Sequence, residues 1–368
     1  MPARNWCVRC GSSLAEETGT ARGQRDRFAA APGERVGTPA VVSTLFPQLP
    51  DDSMLTFRVS LALGMATVVG LSAAGLFPVA LLASVFLVPL ITVIYLYDVD
   101  VYEDQPLYVV GMTMLGGAVG GVAIALLAKA IAPADASCAA DHGGDDVLLR
   151  GVVIPLASTA VILLPALALL RYPRFNDVLD GSTFGAAAAI SFTAAEVFVT
   201  SLSYLGSELS PDGVFVPWTL RLLTIAVAVP VLTAAVMGAA AAALWLRYRA
   251  PVKDRAALGA LGRPEVAVPL AAVVLVATAM IQLFLPAGLS LAVLVVLAAV
   301  ALIWLRRVIH LGLIQEAGEI GIGPDITCAN CGHETPQHAF CAECGVALNA
   351  LPKGRAPEPP PEPSGAPA

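Results

Sequence analysis

The sequence predicts an all-α polytopic membrane protein, with about eight transmembrane helices and a small cytoplasmic zinc ribbon held by four cysteines. Three observations support this fold class. Hydrophobic residues make up 57% of the chain and charged residues 13%, against roughly 45–50% and 25% in soluble domains. The apolar residues fall into runs of about 20, the length of a helix that crosses a bilayer core. Two Cys-x-x-Cys pairs stand near the C-terminus.

Eight apolar runs account for the predicted spans. We expect them at about 59–77, 78–97, 107–132, 150–170, 183–205, 218–246, 266–285 and 287–305. Pro78 leaves two alternatives open, because it marks either a tight turn between two spans or a kink in one long re-entrant hairpin.

The segments on either side of the spans differ from them in composition. Residues 54–305 form the predicted bundle. Around it we expect an N-terminal Cys-x-x-Cys half-ribbon at 1–14, a disordered linker at 15–53, a juxtamembrane connector at 306–325, the zinc ribbon at 326–350 and a Pro-rich disordered tail at 351–368. The connector is apolar enough to continue the last helix or to lie at the membrane interface.

Lysine and arginine in short loops predict which helix ends face the cytoplasm. The basic loops at 171–174 and 247–263 and the tail that begins at Arg306 fall on one side, whereas the loops at 133–149 and 206–217 carry acids only. Both termini are then cytoplasmic, and we expect the protein in the plasma membrane with the lipid bilayer as its partner. A net charge of −7 without a dense basic run argues against nucleic-acid binding.

The C-terminal cysteines form two knuckle-like Cys-x-x-Cys-Gly turns at Cys328, Cys331, Cys341 and Cys344. Two residues between thiolates let both sulfurs face one cation, and two such pairs complete a tetrahedral shell. Zn²⁺ is the expected structural metal, because cytoplasmic thiols stay reduced and free to bind it. We expect His333 and His338 to be non-ligands, since four thiolates already fill the shell.

A third turn of this kind lies at Cys7 and Cys10 and looks like half a ribbon. Its sequence, Cys-Val-Arg-Cys-Gly-Ser-Ser-Leu, closely matches Cys-Ala-Glu-Cys-Gly-Val-Ala-Leu at the second C-terminal knuckle. The pair is a candidate for a second or a shared zinc site, including one that a second subunit completes in a homo-oligomer. An unused metal site is the alternative.

Glu196 needs a physical reason to lie within a span, because an ionised acid near mid-membrane costs roughly 2.5–3.5 kcal/mol. Thr193, Glu196, Thr200 and Ser203 share one helix face, so we expect this stripe to point into the bundle. The stripe is either a metal, proton or water site, or it holds a neutral glutamic acid that hydrogen-bonds to neighbouring helices.

Two segments carry a family resemblance. They are Pro89 to Asp98 followed by Tyr102-Glu103-Asp104-Gln105-Pro106-Leu107, and Arg174-Phe175-Asn176-Asp177-Val178-Leu179-Asp180-Gly181 followed by Phe184-Gly185 and Ser191-Phe192-Thr193-Ala194-Ala195-Glu196. Their order and spacing resemble the PrsW family of polytopic membrane proteins, whose founding members are intramembrane metal-dependent proteases. The second segment resembles the family's Phe-Asp-x-x-x-Asp-Gly loop and its Phe-x-x-x-Glu motif.

The same resemblance implies a catalytic set that this chain retains only in part. The family's adjacent glutamates fall on Ser158 and Thr159, its lysine on Ile162 and its later histidine on Pro230. Of the implied active site only Glu196 remains, whereas a hydrolytic metal needs about three protein ligands and a general base.

Three functions follow from these features. The leading hypothesis is a catalytically inactive PrsW-like protein that acts as a membrane scaffold or binding protein for membrane-protein or peptide clients, with the zinc ribbon as its interaction module. The alternative is an active intramembrane metal-dependent endopeptidase that uses Glu196 with Asp177 or Asp180. The third is a small-solute or ion transporter built around Glu196, although we see no paired inverted repeats of the transporter kind.

Overall fold

The computed structural model describes residues 5–9, 11, 14, 27–47, 51–100, 107–131, 147–205, 215–250, 252, 255–256, 258–317 and 321–351. Numbered in chain order, its helices are α1 (Val41–Leu45), α2 (Asp51–Ala73), α3 (Phe77–Asp100), α4 (Leu107–Ile131), α5 (Ile154–Leu169), α6 (Val178–Leu205), α7 (Phe215–Leu223), α8 (Val229–Tyr248), α9 (Pro264–Phe284) and α10 (Ala287–Glu316). π-helical turns at Leu149–Val153 and Thr224–Ala228 precede α5 and join α7 to α8.

Within the described ranges, eight helical segments are long and apolar enough to cross a membrane. They are α2, α3, α4, α5 with its π-helical turn, α6, α7 joined to α8, α9 and α10. These segments overlap the eight predicted apolar runs, so the predicted all-α polytopic fold with about eight spans is confirmed. The last helix continues through the apolar connector to Glu316, which is one of the two arrangements expected there.

The chain turns sharply between α2 and α3, so Pro78 does not kink a single long helix. Gly75 has a φ of +74°, a left-handed conformation that glycine adopts at helix C-termini. The amide of Leu76 donates to the carbonyl of Leu71 at 2.9 Å and closes the end of α2. Pro78 then occupies the first turn of α3, where its missing amide hydrogen costs little.

Close approach of small residues holds the centre of the bundle together. A Cβ atom at Gly117 or Gly121 of α4 would overlap a carbonyl oxygen of α6, so these glycines let two parallel helices touch backbone to backbone. On its other side α6 packs against α8, which is buried at every position from Pro230 to Leu246. The glycine pairs therefore serve helix packing.

The basic loops meet at one end of the bundle, which we call the head end. The guanidinium of Arg249, after α8, donates from Nε to the carbonyl of Leu170 at the end of α5. Trp304 of α10 donates from its indole nitrogen to the carbonyl of Leu261 at 3.2 Å. The loop at 170–177, the described residues of the loop at 248–263 and the C-terminal half of α10 therefore lie together, as their shared positive charge predicts.

Two short hairpins stand at the head end. Strand β1 (Arg27–Phe28) pairs antiparallel with β2 (Ala31–Arg35), and β3 (Asp325–Thr327) pairs antiparallel with β4 (Glu334–Pro336). The second hairpin belongs to the C-terminal ribbon. The first lies within the segment predicted to be disordered.

Residues 27–47 are ordered, contrary to the disorder predicted for 15–53. Phe28, Val42 and Phe46 are buried against the bundle, and the ring of Phe46 lies 4.5 Å from that of Tyr95 in α3. Burial of scattered apolar side chains stabilises this segment even though its sequence has no periodic pattern. The linker at 15–26 and the tail from 352 lie outside the described residues.

Candidate metal centre

Paired strands carry the first C-terminal knuckle, and an isolated bridge between Phe340 and Ala347 flanks the second. The first, from Cys328 to Gly332, is the turn between β3 and β4, and the amide of Gly332 donates to the carbonyl of Cys328 at 2.8 Å. The second repeats this turn, with the amide of Gly345 on the carbonyl of Cys341 at 3.1 Å. Both glycines have a positive φ, 70° and 74°, which explains the glycine after each pair.

The four cysteine sulfurs lie within 4.8 Å of one another. Cys328 Sγ is 3.9 Å from Cys344 Sγ, and Cys331 Sγ is 3.8 Å from Cys341 Sγ. Four sulfurs at about 2.3 Å from a central zinc form a tetrahedron with edges of about 3.8 Å. The cluster therefore has the dimensions of a tetrahedral thiolate site, and its residues could hold one metal ion.

Hydrogen bonds within the cluster lower the pKa of the Cys341 thiol and raise that of Cys328, so they favour a thiolate at Cys341. The thiols of Cys328 and Cys344 hydrogen-bond to Cys341, which holds the pKa of Cys341 well below its ordinary value. The side-chain amide of Asn330 donates to Cys344 Sγ at 3.6 Å. Such donors offset the negative charge that four thiolates bring to a divalent cation.

The N-terminal knuckle docks on this ribbon within the same chain. The amide of Trp6 donates to the carbonyl of Ala342 at 2.8 Å, and the amide of Phe340 donates to the carbonyl of Val8 at 3.0 Å. Gly345 lies directly under the Trp6 indole, where a Cβ atom would be 2.6 Å from the ring. The half-ribbon predicted from the sequence thus has an intramolecular neighbour.

Cys7 is not a member of the four-sulfur group. Its turn nevertheless has the knuckle geometry, because the amide of Gly11 donates to the carbonyl of Cys7 at 2.8 Å and Gly11 has a φ of 65°. Cys10 lies outside the described residues. A zinc ion bound by Cys7 and Cys10 therefore stays a prediction.

His338 has a structural role beside the cluster. Its Nδ1 lies 2.7 Å from the carbonyl oxygen of Val8, and because a carbonyl only accepts, the ring donates. The four-sulfur group includes neither His338 nor His333, and their exclusion as metal ligands stays a prediction.

Glu316 connects the ribbon to the membrane helices. Its Oε1 accepts the amide of Val178 at 2.8 Å, so it satisfies a free backbone donor at the start of α6. Its Oε2 accepts from the side chain of Asn349, which follows the second knuckle, at 3.4 Å. No sequence pattern indicates this contact, because Glu316 and Asn349 form no motif with Val178.

A second contact that the sequence does not reveal joins the N-terminal segment to α10. Arg306 is fully buried, and its Nη2 lies 2.8 Å from the Glu34 carboxylate. Nη1 donates to the hydroxyl oxygens of Ser43 and Thr44, and the guanidinium stacks 4.2 Å from the Phe28 ring centre. Arg306, predicted to begin a basic cytoplasmic tail, is instead a buried residue that holds the N-terminal segment against α10.

The weaker catalytic candidates lie far from Glu196. Asp177 and Asp180 are at the head end, where the amide of Asp177 donates to Asp180 Oδ2 at 3.1 Å. Asp180 and Glu196 are both on α6, sixteen positions apart, and a helical rise of about 1.5 Å per residue separates them by about 24 Å. Glu196 therefore cannot share a metal with Asp177 or Asp180 in this fold.

The stripe around Glu196 points into the bundle only in part. Thr193 is buried, Glu196 is half-buried and Thr200 is exposed, while the side chain of Ser203 lies outside the described residues. The hydroxyl of Thr193 donates to the carbonyl of Ala189 on its own helix, and that of Thr200 donates to the carbonyl of Glu196. Helix α6 contacts α4 through Phe192. This contact sets the rotation of α6 about its axis, and with this rotation Thr200 of the stripe is exposed.

Comparisons of the chain with protein families, with curated proteins and with solved structures give no match.

Proposed function

We propose that the protein is an integral membrane scaffold or binding protein, a PrsW-like bundle without peptidase activity, whose partner is recognised by a zinc-bound head. The observation that carries this proposal is the head itself: the four-cysteine ribbon gathers the N-terminal knuckle, the first hairpin and the end of α10 into one body. The free energy of metal binding to the four cysteines would contribute to the folding free energy of this head.

The proposal places zinc in the four-cysteine site and the head in the cytoplasm, beneath the plasma membrane. Thiolate ligands in tetrahedral geometry favour Zn²⁺, and a reducing compartment keeps the thiols available. Membrane proteins or peptides are the proposed clients. A homo-oligomer bridged through Cys7 and Cys10 is a further arrangement within this proposal.

We propose that the protein has no peptidase activity because the candidate metal ligands in the bundle lie too far apart to bind one ion. Among the residues that the structure describes, the four cysteines are the only group of three or more candidate ligands close enough to share a metal. Glu196 is too far along α6 from Asp177 and Asp180 to act with them. A hydrolytic metal that uses about three protein ligands has no such set around Glu196.

Zinc binding is tested on the full-length purified protein. We expect one zinc per chain by elemental analysis and almost none in Cys341→Ser, because three thiolates hold the ion far less tightly. Cys7→Ser is the matched control and should keep the zinc of the four-cysteine site. A protein without zinc, or loss of zinc in Cys7→Ser but not in Cys341→Ser, would contradict this assignment.

Peptidase activity is tested by incubating the protein in liposomes with a panel of single-span substrates, with and without a chelator. We expect no cleavage from the unaltered protein or from Glu196→Gln. We also expect the two proteins to unfold at the same temperature, because glutamine keeps the shape and hydrogen-bonding capacity of a neutral glutamic acid. Chelator-sensitive cleavage that disappears in Glu196→Gln would replace the scaffold with the protease.

A further inference from the structure

A positively charged cleft lies at the head end, and its arginines take no part in the metal centre. It has a volume of about 420 Å³ and lies between the end of α8, the start of α9 and the loop that joins them. This volume falls in the range of about 300–1,000 Å³ typical of small-molecule sites. Three arginines line it, namely Arg247, Arg255 and Arg263.

The described lining of this arginine cleft is strongly positive. All three arginines are exposed, and Glu265 is the one acid among the described lining residues. Glu265 lies 3.9 Å from Arg247, with both side chains largely in solvent, so this pair is weak. Arg255 and Arg263 have no ion-pair partner among the described residues. Three arginines, one on α8 and two on the loop that follows it, thus line one space with an excess of positive charge.

The floor of the cleft is apolar. Leu246, Leu258 and Pro264 are buried side chains in its lining. A small inorganic anion would gain nothing from such a floor, whereas an amphiphile would cover it while placing its charge among the arginines. The lining therefore favours a ligand with an anionic head and an apolar body.

The position of the cleft relative to the predicted spans matches the headgroup level of a bilayer. Its walls are the ends of two candidate spans, Phe215–Tyr248 and Pro264–Phe284. Tyr248, beside Arg247, is exposed, and Trp304 reaches the loop through Leu261. Tyrosine and tryptophan at span ends mark the headgroup level of a bilayer.

We propose that the arginine cleft binds the phosphate headgroup of an anionic phospholipid. Guanidinium groups suit this ligand because they donate paired hydrogen bonds to phosphate oxygens. Loop arginines that only set membrane orientation need no shared cavity. The cleft arginines instead converge on one space, which distinguishes a binding site from a general excess of positive charge.

The test measures binding of a fluorescent short-chain phosphatidylglycerol to the full-length protein in a neutral detergent. We expect saturable binding that phosphatidylcholine does not compete away. The variant Arg247→Gln, Arg255→Gln, Arg263→Gln should weaken binding about tenfold or more, because each interfacial cation adds to the attraction of anionic lipid. Should this variant fail to fold, Arg255→Glu, which lies in the exposed loop, provides the same test with one substitution.

The matched control removes the same charge from the same end of the molecule, in Arg171→Gln, Arg174→Gln, Arg307→Gln. All three of these arginines are exposed, and none lines the cleft. We expect their loss to change binding less than twofold. Equal weakening in the two triple variants would overturn the proposal in favour of diffuse attraction. Displacement of the lipid by millimolar inorganic phosphate would overturn the lipid assignment and indicate a soluble phosphate compound.

Discussion

Arg306 keeps its charge inside the protein because four neighbours surround its guanidinium. Glu34 supplies the opposite charge, Ser43 and Thr44 accept hydrogen bonds, and Phe28 covers one face of the guanidinium plane. Its Nε has no hydrogen-bond partner among the described residues. A buried ion pair of this kind adds little net stability, but removal of one partner leaves an uncompensated charge. Arg306 therefore makes the position of the N-terminal segment specific.

We predict that Glu34→Gln lowers the free energy of unfolding by about 3 kcal/mol, the typical cost of stranding a buried charge. The measurement is denaturant unfolding of the purified protein in detergent at pH 7. The double variant Glu34→Gln, Arg306→Met should recover part of the loss, because it removes both charges. A Glu34→Gln protein as stable as the unaltered one would show that Arg306 does not depend on this carboxylate.

The same pair predicts a dependence on pH. Burial alone would raise the pKa of Glu34, but hydrogen bonds from Ser43 and Arg306 and the Arg306 charge outweigh it, so the pKa lies below its ordinary value of 4.5. A lowered pKa stabilises the folded state above about pH 4.5, and this contribution disappears as the pH falls through the folded-state pKa. The stability gap between the unaltered protein and Glu34→Gln should therefore narrow as the pH falls through and below about 4.5. A gap that stays constant over this range would contradict the assignment.

At the scale of elements, α4 and α6 depend on glycine for their contact. We predict that Gly121→Ala destabilises the bundle by about 1–3 kcal/mol, because its Cβ would overlap the Phe192 carbonyl and force two helices apart. Thermal unfolding in detergent measures the effect. Gly111→Ala is the matched control on the same helix, since nothing lies within 4 Å of a Cβ there. Equal changes in the unfolding temperature of Gly121→Ala and Gly111→Ala would show that the change comes from helix propensity and not from the contact between α4 and α6.

The elements also show what the sequence can predict. Span length and apolarity are local properties, so all eight spans follow from the sequence, and the Cys-x-x-Cys spacing fixes the four-sulfur group in the same way. The rotation of α6 does not follow, because glycines on a different helix determine which face it presents. This is why Thr200 is exposed although its stripe suggests an inward face.

At the scale of the whole molecule, the two chain ends form one head. Contacts such as Trp6 with Ala342 and Glu34 with Arg306 join residues about 300 positions apart in the sequence. No periodicity or motif records such pairs, so the sequence predicts two separate terminal segments. The match between the Cys7 knuckle and the Cys341 knuckle is the signal that could have suggested their association.

The shared head also makes a prediction about topology, because both termini must lie on the same side of the membrane. We expect a green fluorescent protein fused after residue 365 to be fluorescent. An alkaline phosphatase fused at the same site should be inactive. A phosphatase inserted within 206–214 should be active, because this acidic loop is expected outside. A phosphatase active after residue 365 would place the head outside and reverse the orientation.

The joining of the two ends imposes an order on biosynthesis. Residues 27–47 precede every span in this sequence, yet the side chain that covers the Phe28 ring is Arg306 of α10, the last of the spans. The N-terminal segment must therefore wait, with its apolar residues uncovered, until the whole bundle has been translated. A chain that ends before α10 would keep Phe28 accessible to chaperones and proteases, whereas a chain that includes α10 would cover it. The accessibility of Phe28 therefore reports whether α10 has been made.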